Sequence, residues 1–103
     1  MSRTLAHPDS NTLELTEVLH ALSDPVRLEI VRNLASCGES ERRCGDFALP
    51  VTKSTLTHHF RVLRESGVIE QVPSGTARIN RLRRDDLDAR FPGLLDSVLR
   101  AAG

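Results

Sequence analysis

The chain has 103 residues, 39% of them apolar and only three aromatic, all Phe, which leaves room for one domain with a modest core of Leu, Val, Ile and Ala. Net charge is zero but sorted: Thr52 to Arg84 carries seven basic residues against two acidic, the rest seven against twelve, which suits contact with a polyanion on one face. No apolar run is long enough for a membrane span, no secretory signal opens the chain, and two cysteines make no disulfide framework, so the cytoplasm is the expected compartment.

Residues 1–10 are polar and read as a loose N-terminal arm before a single domain over 11–103. Leu15, Val18, Leu19 and Leu22 then recur at i, i+3, i+4 and i+7, one face of an amphipathic helix starting from about Asn11. Ser23-Asp24-Pro25 is a break: Asp24 can cap a second helix, and Pro25 suits its first position, where no N–H is needed. That helix carries Val26, Leu28, Ile30, Val31 and Leu34 and ends near Gly38, a candidate C-cap. Glu39 to Arg43 is charged and reads as a loop. Cys44 to Leu49 can form one short helix, stopped by Pro50.

Thr52 is placed to cap a helix that runs to about Ser66 and stops at Gly67. Val68 to Val72 reads as a strand, Pro73-Ser74-Gly75-Thr76 as a turn, and Ala77 to Leu82 as the return strand. Alternation puts Ala77, Ile79 and Arg81 on one face of that strand and Arg78, Asn80 and Leu82 on the other. Asp85 or Asp86 caps a last helical region, striped by Leu87, Phe91, Leu94, Leu95 and Val98 and restarted or kinked at Pro92. The order is helix, helix, short helix, helix, hairpin, helix. It predicts a mainly α (α+β) chain: a winged helix-turn-helix of about five helices, with a two-stranded β-hairpin wing between the recognition helix and the last helix.

Helical geometry sorts the recognition helix into faces. Phe60 and Leu63 fall within about 40° of Leu56, so these three point at the core. Ser54, His58, Arg61 and Glu65 lie opposite, Lys53, Thr57 and Arg64 flank one edge, and His59 sits on the boundary, about 60° off the core direction. The outer face offers hydroxyls, an imidazole and a guanidinium, groups that can contact bases and phosphates in a major groove. Ser54, Thr57 and His58 are placed for base edges, and Lys53, Arg61 and Arg78 for phosphates. His59 is expected to be a half-buried hydrogen-bonding residue that orients the helix.

The string Ala21-Leu22-Ser23-Asp24-Pro25-Val26-Arg27-Leu28-Glu29-Ile30-Val31 resembles the second-helix signature of the ArsR/SmtB family of bacterial repressors. The stretch from Thr52 to Ile69, with Ser54-Thr55-Leu56-Thr57-His58-His59 at its centre, is similar to that family's recognition helix and start of the wing. The resemblance covers roughly Leu15 to Leu82. It implies a homodimer joined by its first and last helices, bound to double-stranded DNA at an inverted-repeat operator and released by an inducer that the sequence does not identify. Carried over by position, DNA contacts fall on Ser54, Thr55, Thr57 and His58, with a wing contact near Arg78. The expected dimer interface is Leu15, Leu19, Leu94, Leu95 and Val98.

The family's metal motifs are not matched. Where some members have Cys-x-Cys-Asp, this chain has Arg43-Cys44-Gly45-Asp46, and residues 85–103 hold no histidine, so neither a metal nor another cofactor is expected. Two readings are open for Cys37 and Cys44: a thiol switch or thiophilic metal site across the loop, or two small buried apolar residues. Two rivals to the DNA-reading function are a winged helix used for protein–protein contacts, which the basic cluster disfavours, and an enzyme. No Ser/His/Asp set, phosphate loop or paired-carboxylate site supports the latter.

Overall fold

In the computed structural model, which describes residues 6–36, 42–43, 51–75 and 77–102, the two N-terminal periodicities become α1 (Leu15–Leu22) and α2 (Pro25–Ser36). A 3-10 turn, Ser10–Thr12, comes first, so α1 starts at Leu15 and not near Asn11. Asp24 caps α2 as its position predicts: Oδ2 accepts from the amides of Val26 at 2.9 Å and Arg27 at 3.0 Å. The arm is fastened where it is described. The Nε2 of His7 accepts from the Gln71 amide at 3.0 Å, and Arg83 donates to the Pro8 carbonyl at 2.9 Å.

The charged stretch read as a loop contains a strand, β1 (Arg42–Arg43). A charged composition does not prevent this, because pairing along a sheet edge is made by backbone groups. Cys37, Gly38, Cys44, the expected short helix over 44–49 and Pro50 lie outside the described residues. The recognition helix is α3 (Lys53–Glu65). Its cap is Thr52, whose hydroxyl accepts from the Thr55 amide at 3.2 Å. The chain leaves it through Gly67, at φ 87°, a conformation L side chains rarely adopt.

The wing is β2 (Ile69–Ser74) and β3 (Ala77–Leu82), and the sheet order is β1-β3-β2, all antiparallel. Pro73 and Ser74 lie in β2 and not in the turn, which begins at Gly75, φ 62°. A proline is tolerated there because its nitrogen points away from β3. Pairs Ile69↔Leu82 and Gln71↔Asn80 share the face turned to the helices, so the Asn80 and Leu82 side of β3 is the inner one.

The last helical region splits at Phe91-Pro92-Gly93 into α4 (Arg84–Arg90) and α5 (Leu94–Ala102), with Gly93 at φ 80°. Arg83 occupies the cap of α4. Asp85 and Asp86, expected as caps, fall in its first turn, where carboxylates face the positive end of the helix dipole. The core joins Val18, Ala21 and Leu22 of α1, Ile30, Val31 and Leu34 of α2, Phe60 and Leu63 of α3, and the start of β2. Leu95, expected at the dimer interface, is instead only 2% exposed in this core beside Leu87, because the α5 stripe turns inward at that position. Leu94 and Val98 are partly buried, while Leu15 and Leu19 of α1 stay 44% and 43% exposed. Among the described residues, three α-helices, the hairpin and two further helices make this a winged helix-turn-helix of the α+β class.

Candidate nucleic-acid interface

Helix α3 divides as its periodicity requires. Phe60 and Leu63 are buried as expected, Leu56 is partly buried, and His59, expected half-buried on the boundary, is buried with them, whereas Lys53, Ser54, Thr55, Thr57, His58 and Arg61 are all exposed. At the N-terminus the hydroxyls organise one another. Thr52 donates to the Thr55 hydroxyl at 2.8 Å, and its oxygen lies 3.3 Å from the Ser54 hydroxyl. One turn on, the Thr57 hydroxyl donates to the Lys53 carbonyl at 2.9 Å, leaving its lone pairs and methyl group to the outside.

The basic segment is less uniformly cationic than its composition implies. Arg81 pairs with Glu70 across the wing at 3.1 Å, Arg83 with Asp86 at 3.0 Å, and Arg84 with Asp96 at 2.9 Å. Arg64 turns inward to Gln71 at 2.8 Å. Lys53, Arg61 and Arg78 are exposed and have no ion pair with any described residue. They are the three cations placed at phosphates from the sequence.

Behind α3 sits a polar clamp. Arg27 is buried and donates from Nε to the Ala21 carbonyl at 2.7 Å and from Nη2 to the His20 carbonyl at 3.2 Å, closing the C-terminus of α1. Its Nη1 lies 3.2 Å from His59 Nδ1. Since a guanidinium only donates, Nδ1 is the acceptor and the ring is neutral at that nitrogen. Burial holds the His59 pKa below 6.5; the Asp24 carboxylate, 3.8 Å away, pulls it up, and the charges of Arg27 and His58 push it down.

Residues 22–72 match the model of a helix-turn-helix domain. An uncharacterized HTH-type transcriptional regulator, YceK, of Bacillus subtilis (strain 168) is 32% identical over 88 residues, covering 80% of this chain and 83% of its own. The arsenical resistance operon repressor of Staphylococcus xylosus is 35% identical over 78 residues, covering 73% of this chain and 71% of its own. The chain belongs to the ArsR/SmtB family. It is a DNA-binding transcriptional regulator and not an enzyme.

For this ArsR/SmtB member the clamp gives the Asp24-Pro25-Val26-Arg27 string a physical meaning: one residue caps α2, one starts it, and one ties α1 to the recognition helix. Arg27 is assigned no structural role from the sequence, although a signal for one is present. Arg27, Ile30, Val31 and Leu34 fall at i, i+3, i+4 and i+7, which puts a guanidinium on the buried stripe. Gln71 and Asn80 gave a weaker signal, as two amides on the inner face of a hairpin. Among the described residues no group of three or more His, Cys, Asp or Glu could hold a metal ion, and no helix is long and apolar enough to cross a membrane.

Proposed function

We propose that the protein is a homodimeric repressor, acting in the cytoplasm, that reads an inverted-repeat operator. Lys53, Ser54, Thr55, Thr57, His58, Arg61 and Arg78 form its DNA face. One observation carries this reading. Of the basic segment's described side chains, the exposed cations without a carboxylate partner among the described residues lie beside the exposed hydroxyls of α3 or on the wing. Such a surface neutralises phosphates and presents groups to base edges at once. Dimerisation is supported by Leu15 and Leu19, exposed on α1, and by a shallow groove that Leu15 lines with Phe91, Pro92, Gly93, Leu94 and Ser97. An isologous pairing of that face matches a palindromic site.

The test is a salt titration on two duplexes, one selected by the protein from a random pool and one scrambled. His58→Ala or Thr57→Ala should cost about 1–3 kcal/mol on the selected duplex and little on the scrambled one. Arg78→Ala should weaken both and flatten the log–log salt slope by about one unit. An unchanged slope in Arg78→Ala together with unchanged preference in His58→Ala assigns the DNA face elsewhere.

A further inference from the structure

We infer that Gln71 and Asn80 are positioning residues for DNA reading, fixing the wing against the recognition helix without touching DNA themselves. This rests on the DNA-reading function proposed above. The two amides are only 1% and 0% exposed, opposite each other on the inner face of the hairpin. An apolar pair would fill that place at no cost in desolvated polar groups. What the amides add is direction. Arg64 Nη1 on α3 donates to Gln71 Oε1 at 2.8 Å, and Gln71 Nε2 on β2 donates to Asn80 Oδ1 on β3 at 2.8 Å. The relay therefore runs from helix to first strand to second strand, each bond setting the orientation of the next.

Its ends lie close in sequence to the exposed cations. Arg64 is one helical turn from Arg61, and Asn80 is two residues from Arg78. The Nε of Arg64 is buried with no hydrogen-bond partner among the described residues, so the guanidinium is drawn inward at a cost. Hydrophobic contact alone is non-directional and leaves a hairpin free to tilt. With the relay intact, Arg78 meets its phosphate only when α3 is seated in the groove.

The experiment uses Gln71→Met, similar in size and identical in charge, with Arg78→Ala in both backgrounds. Gln71→Met should remain folded, yet bind the selected duplex about tenfold more weakly. Its salt slope should already be flattened although no charge was removed. Arg78→Ala should then add less than about a twofold loss, against its full effect in the parent. Gln71→Glu, whose carboxylate still accepts from Arg64, should recover part of the binding that Gln71→Met loses. If Gln71→Met does not fold, the paired change Gln71→Leu with Asn80→Leu is measured the same way. Parent-like binding by the variant, or an equal Arg78→Ala loss in both backgrounds, overturns the inference while leaving the DNA reading intact. A parent protein without salt-dependent DNA binding overturns both.

Discussion

His59 ties the pH response of the domain to the seat of its recognition helix. The folded state keeps the ring neutral: burial disfavours its charged form, and a proton on Nδ1 would also remove the acceptor for Arg27 and set two cations together. The unfolded chain takes up that proton from about pH 6.5 downward, and the folded one only at lower pH. The contribution of His59 is thus complete above pH 6.5 and is lost as pH falls below it. Asp24 acts in a separate window. Burial alone would raise its carboxyl, but hydrogen bonds from the Arg27 and Val26 amides, with the charges of His59 and Arg27, bring it below 3.8. Its contribution therefore persists until well into acid. Urea unfolding at intervals from pH 8 to pH 5 should show the stability of the parent falling through this range. In His59→Gln, which keeps an acceptor and cannot titrate, that part of the fall should be missing. Equal slopes for the two proteins would remove His59 from the account.

Among the elements, the junction from α3 to the wing is the most constrained. Gly67 has a positive φ, and a Cβ there would run into the Leu13 side chain, which is itself buried in the core. Gly67→Ala should cost about 2–4 kcal/mol, from backbone strain and displaced packing together, read as a lower thermal midpoint without loss of helix content. A midpoint within a degree or two of the parent would mean that Leu13 yields freely. The stop at Gly67 was legible in the sequence, as were the caps Asp24 and Thr52, since each is a local signal carried by one residue and its near neighbours. What was not legible depended on partners far along the chain. The strand at Arg42–Arg43 exists because β3 offers an open edge, and nothing in its own composition announces this. The inward turn of Arg64 and the carboxylates that neutralise Arg81, Arg83 and Arg84 are likewise tertiary facts. A charge count over the segment saw seven cations where the folded surface offers fewer.

For the whole molecule the decisive contrast is between two leucines that the sequence placed together. Leu19 is exposed on α1, and Leu95 is enclosed in the core. Leu19→Asp should leave a folded chain that sediments as a monomer at micromolar concentration and binds the selected duplex weakly, because each half-site is then held alone. Leu95→Asp should destabilise the chain itself by about 3–5 kcal/mol, since it buries a charge where a side chain was packed. The pair separates assembly from folding. If the parent protein is already a well-folded monomer, or if Leu19→Asp remains a dimer, the α1 face is not the interface.

The fastening of His7 to β2 also bears on solubility. β2 is an outer strand of its sheet, and in this register the backbone nitrogens of Gln71 and Pro73 point away from β3. The first donates to the imidazole of His7, and the second carries no hydrogen at all. A foreign strand approaching this edge meets one donor already occupied and another that does not exist, beside the exposed Val72, where an apolar surface would otherwise invite it. With β1 paired along the other side of β3, the wing can therefore meet a groove without its outer edge becoming a template for strand-by-strand aggregation.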